Sequence, residues 1–362
     1  MLNEKRVLAY VDIIHHINPI RDADNIECGM IRNWPVVIGK GEFRNGDQVL
    51  YIEPDAALPI SDPRFASLAG RGTTDIDGVQ YHVLKTIRLR GQLSQGIVFP
   101  LDKFRELDPE RSFLPVSIQH GDLSIDDALG IRLWEPPQSP LGADQKGPWN
   151  LPWLRKTDAE RIQNLPDIWL ESVDDGLWIP TEKIDGTSIT FAMDDLGDLH
   201  IYSRNWELKT DNPNAMSVKL AHRYDVWNWM MDNDVTAIQG EMYGEGIQSN
   251  RLKVSGQHLA VFAVWQHQIG VEPSAHDRFA DHIASPLSQE NALDFVPTLE
   301  LPFPKTVEQG LAQADGMRSL INPDQLAEGI VWHHLGDREF PGLDYRRQFK
   351  VVSPAFLIRH GL

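Results

Sequence analysis

Cysteine is almost missing from this chain: Cys28 stands alone in 362 residues, so no disulfide can form within it. That scarcity suits a reducing compartment, and a cytoplasmic home is expected. No run of about 18 apolar residues occurs, which excludes an ordinary transmembrane helix and gives no reason to expect a membrane partner. The opening residues, Met1-Leu2-Asn3-Glu4-Lys5-Arg6, lack the apolar core of a secretory signal. Positive charge is also scarce, with 34 Lys and Arg against 52 Asp and Glu and a formal net charge of -18. This excludes a basic coat for nucleic acid but leaves room for a local basic track. Internal repeats and low-complexity runs are absent as well. What remains is an apolar content of 41%, with Trp, Phe and Leu scattered throughout. That is a folded chain, too long for one typical core, and two domains are expected.

The first part, residues 1–140, reads as short strands. Arg6 to Ile14, Asn25 to Gly39, Asp47 to Ile52, His82 to Arg90 and Gly96 to Pro100 are β-rich, and Asn45-Gly46 marks a turn. About five short strands punctuated by Gly and Pro suggest a small barrel of the OB type. Pro137 to Trp153 is rich in Pro, Gly and polar residues and reads as a linker. Residues 150–362 mix helix with strand, an α+β pattern. There Leu220, Tyr224, Trp227 and Met231 recur at helical spacing and predict one amphipathic helix. Strands are expected over Leu177–Ile179, Ser188–Met193, Leu199–Ser203, Leu259–Trp265, Gly329–His334 and Arg347–Val352.

Chemistry points to Glu182-Lys183-Ile184-Asp185-Gly186, which comes after a short strand expected to end at Pro180. A lysine that attacks phosphorus must be neutral, and at its free pKa only about one molecule in a few thousand is neutral at pH 7. The site is therefore expected to lower the Lys183 pKa through burial, nearby cations or a metal ion. In an extended chain Asp185 shares a side with Lys183 and suits a magnesium ion. Gly186 would let the backbone approach a ligand closely. A lone Lys-x-Asp-Gly tetrad is common, so the weight rests on five further segments, in a fixed order toward the C-terminus. These are Tyr202-Ser203-Arg204-Asn205, Gln239-Gly240-Glu241-Met242-Tyr243-Gly244, Leu259-Ala260-Val261-Phe262, Ala327-Glu328-Gly329 and Gln348-Phe349-Lys350.

This ordered series resembles the motif signature of covalent nucleotidyltransferases, the polynucleotide ligases and mRNA capping enzymes. Three details are similar to RNA ligases. One is Gly240-Glu241 through Gly246-Ile247-Gln248-x-Asn250. Another is Lys156-Thr157-Asp158-Ala159-Glu160-Arg161-Ile162-Gln163-Asn164. The third is that the sequence ends at Leu362, soon after Lys350, so the C-terminal OB domain of DNA ligases is not expected. The N-terminal barrel and Arg88-Leu89-Arg90-Gly91-Gln92-Leu93-Ser94-Gln95-Gly96 resemble the Deinococcus-type, or fifth, RNA ligase family. The resemblance implies an ATP-dependent RNA ligase that joins 5′-phosphate and 3′-hydroxyl ends through a lysyl-AMP, in RNA repair. The fold implied is an N-terminal OB barrel followed by an adenylyltransferase domain of antiparallel sheets flanked by helices.

The resemblance also implies roles. Lys183 would carry AMP, Glu182 and Phe262 would frame the adenine, and Gly186 would lie against the nucleotide. Arg204 would contact the AMP ribose or the end of the nucleic acid. Asp185, Glu241 and Glu328 would hold Mg2+ or Mn2+, with Glu241 touching the ribose or a metal-bound water. Lys350 would grip the α-phosphate. RNA ligases often carry two lysines in this last motif, where this chain has Gln348-Phe349-Lys350, so Arg346 or Arg347 is expected to supply the second cation. Lys156 and Arg161 would hold a 5′-phosphate end. By period-two alternation Arg88 and Arg90 share one strand face and could hold duplex backbone. His15-His16 and His333-His334 lack zinc-ligand spacing. The expected partner is RNA, as a nicked duplex with RNA on the 3′-hydroxyl side, and the expected state is a monomer. The rivals are a DNA ligase, an mRNA capping enzyme and an inactive nucleic-acid-binding protein.

Overall fold

The computed structural model describes residues 6–107, 124–134, 144–151, 153–154, 156, 158–194, 196–266, 293–336, 340, 343 and 347–362. The chain divides into two units, Met1–Pro136 with Leu357–Leu362, and Pro137–Phe356. No described helix is long and apolar enough to cross a membrane.

The first unit is built on strands. β1 (Ala9–Ile13), β5 (Gln48–Ile52) and β11 (Ile97–Pro100) form one sheet in the order β1-β5-β11, while β2 (His16–Pro19), β3 (Ile26–Ile31) and β4 (Trp34–Gly39) form another. β6 (Ala56–Pro59), β7 (Thr74–Ile76), β8 (Val79–Val83) and β12 (Arg132–Leu133) pair as β12-β6-β8-β7, and β9 (Ile87–Leu89) pairs with β10 (Gln92–Ser94). β5 alternates sides: Leu50 and Ile52 pack with Phe65, Phe99 and Phe104, while Val49 and Tyr51 pack with Trp34 and Val36. The short helix α1 (Ile125–Ala128) is capped by Ser124, and its Asp126 carboxylate accepts the Leu8 and Ala9 amides at 2.9 and 2.7 Å. That closes the open start of β1.

The Arg88–Gly96 segment is chiefly a brace. Ser94 Oγ accepts the Val37 amide at 3.0 Å, and Tyr51 Oη donates to the Gln95 carbonyl at 3.0 Å. A side chain at Gly96, where φ is 83°, would meet the Ile52 carbonyl. The expected shared face for Arg88 and Arg90 is not formed. The strand ends at Leu89, and Arg90 adopts a left-handed φ of 50° ahead of Gly91.

The second unit holds two sheets. Six strands run in the order β13-β18-β17-β16-β19-β20: β13 (Gln145–Pro148), β16 (Thr187–Met193), β17 (Leu199–Ser203), β18 (Trp206–Leu208), β19 (Ala237–Gly244) and β20 (Gln257–Trp265). Four run β14-β22-β21-β15: β14 (Glu160–Arg161), β15 (Trp178–Lys183), β21 (Gly329–His334) and β22 (Gln348–Val352). All pairs are antiparallel except β14 with β22. Helices α2 (Asp167–Val173) and α5 (Val307–Ala314) cover the smaller sheet, burying Leu170, Val173, Val307 and Ala314 with Trp178, Trp332 and Phe349. The terminal helix α6 is Pro354–His360.

Three sequence expectations change here. The single helix is two, α3 (Met216–Arg223) and α4 (Val226–Asp232), because Asp225 takes a left-handed φ of 46°. Trp227 and Met231 are consequently exposed, and Leu220, Trp229 and Met230 face the core. The expected linker is not all linker: its Gln145–Pro148 is strand β13 against β18, and Trp149, Leu151 and Trp153 pack around Tyr202 and Trp265. The strand expected to end at Pro180 runs through Lys183, whose partner across the ladder is Gly329.

Candidate active site

Lys183 is the last residue of β15, and three residues connect it to β16 on the larger sheet. The connection is tight because Gly186 passes directly over β19. A Cβ there would overlap the Met242 carbonyl oxygen. Gly186 therefore serves backbone-to-backbone contact, whereas a ligand contact was expected. Gly329 plays the same part on the other side, where a Cβ would overlap the Val351 carbonyl oxygen. The two glycines place Glu328 and Glu241 near Lys183.

Lys183 Nζ lies 2.6 Å from Glu328 Oε2, with both side chains partly exposed. Burial alone would lower its pKa. The carboxylates of Glu328, Glu241 and Asp185 outweigh that and hold it above the ordinary lysine value. This reverses the expected depression for the chain as it stands. Burial, with Glu328 and Asp185 beside it, pushes Glu241 up to about 8 against the pull of Lys183. Asp185 is raised to about 6 by burial and Glu328, against the opposing pull of Arg251 and Lys183. Among the described residues no three His, Cys, Asp or Glu side chains converge as a ready metal site. Asp185, Glu241 and Glu328 share one electrostatic neighbourhood without forming a cage. Asp185 Oδ1 accepts from Arg251 Nη1 at 2.7 Å, a partner that the sequence did not reveal.

A second cluster lies on the same two sheets. Lys350 of β22 is 2.6 Å from Asp158, and Arg204, just after β17, is 3.5 Å from the other oxygen of that carboxylate. Arg204 also acts electrostatically on Glu241, which ties the clusters together. Asp158 was visible in the Lys156–Asn164 motif, but nothing in the spacing assigned it two cations. Lys156 Nζ donates to Asn205 Oδ1 at 3.0 Å. Arg161 sits in register with Lys350 and is 7% exposed. Arg347 is buried with a left-handed φ of 50°, and Arg346 lies outside the described residues.

The adenine candidates are arranged differently from one another. Phe262 is the extra residue of a bulge, since β19 pairs Gln239 with Ala263 and Gly240 with Val261. It is half-buried and touches the apolar clusters around Ile184 and around Trp265. Glu182 is 1% exposed. Its Oε2 accepts the Leu320 amide at 2.7 Å, while its Oε1 has no protein partner. Burial raises its pKa despite the bonds it accepts from Ser319 and Leu320. His333 pairs with Thr181 Oγ1 at 2.9 Å, and His334 with Asp175 at 2.9 Å.

An OB unit together with two antiparallel sheets joined at a Lys-x-Asp-Gly strand defines an α+β protein of the nucleotidyltransferase kind. Comparison narrows that class. A family model described as OB-fold domain matches residues 8–101, and one described as RNA ligase matches residues 176–352. Comparison with the curated proteins found no match. Among solved structures, Naegleria gruberi RNA ligase with PPi is 31% identical, at a TM-score of 0.79, over 99% of both chains. A lysine-to-alanine mutant of that protein with ATP and Mn is 30% identical, at a TM-score of 0.79, over 98% of this chain and 99% of the other. An apo mutant lacking an aspartate two positions after that lysine is also 30% identical, at a TM-score of 0.78, over 98% of both chains. The chain belongs to the RNA ligase family.

Proposed function

We propose that this RNA ligase uses ATP and works through Lys183. One observation carries the reading: Lys183 sits among Asp185, Glu241 and Glu328, and two cations nearby, Lys350 and Arg204, already share one carboxylate. The paired cations are a place where a phosphate can replace Asp158. The Lys and Asp altered in the Naegleria mutants have the spacing of Lys183 and Asp185. The neutral Lys183 amine attacks the α-phosphorus of ATP. A phosphorus–nitrogen bond forms, the bond to pyrophosphate breaks, and Lys350 stabilises the charge that builds on the phosphoryl oxygens. A 5′-phosphate oxygen of RNA then attacks the AMP phosphorus and frees Lys183, which regains its proton. A 3′-hydroxyl attacks the activated 5′-phosphate, and AMP leaves. Glu182 offers its unpartnered Oε1 to the adenine edge and Phe262 offers a ring face.

The donor set fits a divalent cation. It is all oxygen, and burial together with the neighbouring carboxylates raises Asp185 and Glu241, a cost of ionisation that a bound cation would offset. Mg2+ or Mn2+ would be held by Asp185, Glu241 and Glu328 with water and phosphate filling the rest. When bound it would neutralise phosphate charge and offset the carboxylates that now keep Lys183 protonated.

Several finer features belong to the same proposal. The OB unit before the ligase unit supports the Deinococcus-type family, and exposed Arg88 supports an RNA-backbone contact there. Lys156 and Arg161 would serve the 5′-phosphate end and Arg347 the second cation of the last motif. A repair role on nicked duplex with RNA at the 3′-hydroxyl side, a monomeric state and a cytoplasmic home complete the reading. Cys28, the single cysteine, is buried with its thiol pKa raised, so it is unreactive.

The test is incubation with α-labelled ATP and Mg2+ or Mn2+, then sealing of RNA and DNA nicks. Label that survives denaturation in the native chain and is lost in Lys183→Ala is the expected result. Absence of label with either metal overturns the reading.

A further inference from the structure

The loop between β19 and β20 reaches back onto the Lys183 segment at two adjacent points. Arg251 Nη1 donates to Asp185 Oδ1 at 2.7 Å and to Gln248 Oε1 at 3.2 Å. Gln248 Nε2 in turn donates to the Gly186 carbonyl. The ion pair is secluded, with the Arg251 and Asp185 side chains 11% and 8% exposed. The loop is shaped to hold it. Gln248, Asn250 and Lys253 adopt left-handed φ values of 45°, 40° and 52°, a cluster of strained non-glycine residues that persists only where the surroundings impose it. Ile247 and Leu252 are buried, Asn250 brackets both the amide and the carbonyl of Val254, and Asn322 Nδ2 donates to the Leu252 carbonyl at 2.8 Å.

An aspartate this secluded needs a cationic donor, and without Arg251 its nearest one is Lys183. Lys183 already holds Glu328 at 2.6 Å, and a second pair with it would take the Asp185 carboxylate out of use. With Arg251 in place one oxygen is occupied, and among the described residues Asp185 Oδ2 takes no hydrogen bond.

We propose that Arg251, steadied by Gln248, is a positioning residue of the ligase: it holds Asp185 away from Lys183 and leaves one carboxylate oxygen for the divalent cation that accompanies ATP. This rests on Lys183 being the residue that takes AMP. Arg251 itself touches neither nucleotide nor reacting atom.

The test measures binding apart from catalysis. With Lys183 in place, Mn2+ affinity in the presence of an ATP analogue whose α,β-bridge cannot be cleaved is measured by calorimetry, with and without Arg251→Ala. A loss of about ten- to hundredfold is expected, the usual effect of removing a group that orients a metal ligand. Arg251→Lys should recover part of it, and Gln248→Ala should lose less. With ATP itself, Arg251→Ala should raise the half-saturating Mn2+ for labelling more than it lowers the rate at saturating metal. Unchanged Mn2+ affinity in Arg251→Ala overturns the inference, as does native affinity in Arg251→Lys alongside an Arg251→Ala chain that merely melts earlier. If the native chain takes no label at all, the nucleotidyl-transfer reading fails instead, which is a separate result.

Discussion

At the scale of single residues, the site is an excess of carboxylates around one amine. Folding raises the Glu241 pKa to about 8, so the folded chain holds a proton there that the unfolded chain has released. The stability tied to that proton is complete below the ordinary glutamate range and is lost as pH rises through about 8. Asp185 acts in the same direction, with its loss passing through about 6. Melting temperature in chelator should therefore fall between about pH 4 and about pH 8. Glu241→Gln should remove the part of the fall between about pH 6 and about pH 8, and a native-like profile in that variant would refute the assignment. The identities of Lys183, Asp185, Glu241, Glu328 and Lys350 were legible because each sits in a short motif of fixed order. Their partners were not. Asp158 and Arg251 lie in or beside segments that the sequence also singled out, yet ion pairing across 192 and 66 positions leaves no mark on local spacing.

Secondary-structure elements explain which local signals failed. Alternation located most strands, but not the length of β15, because Pro180 reads as a terminator and here continues the strand. Helical periodicity survived across Leu220, Tyr224, Trp227 and Met231, although Asp225 breaks the chain between them. Its carboxylate accepts from Asn228 Nδ2 at 2.8 and 2.9 Å, a local bond that steadies the left-handed residue and carries no periodic signature. Gly186 was legible as a special position, but its close approach to β19 was not. It brings the Lys183 strand and β19 together, so Gly186→Ala should push Asp185 and Glu241 apart. Overpacking of this kind costs about 1–3 kcal/mol, and a lower melting temperature with reduced Lys183 labelling is expected. Native stability in that variant would show that the close approach is dispensable.

For the molecule as a whole, a net charge of -18 has to coexist with RNA as a partner. The positive groups that could meet phosphate are local: exposed Arg88 on the β9–β10 hairpin of one unit, and Lys156, Arg204 and Lys350 in the other. Two of those in the second unit already pair with Asp158, so phosphate has to displace a carboxylate there. The number of phosphate contacts then sets the salt dependence of RNA binding, each contributing about 0.7–0.9 to the logarithmic slope. Lys183 labelling depends on a secluded site and a small nucleotide, so it should respond far less between about 50 and about 200 mM salt. Measured side by side, RNA binding should collapse over that range while labelling persists. Arg88→Ala should then weaken RNA binding across sequences and lower the slope by about one contact. An unchanged slope would remove the hairpin from the RNA path and leave the second unit to carry the substrate alone.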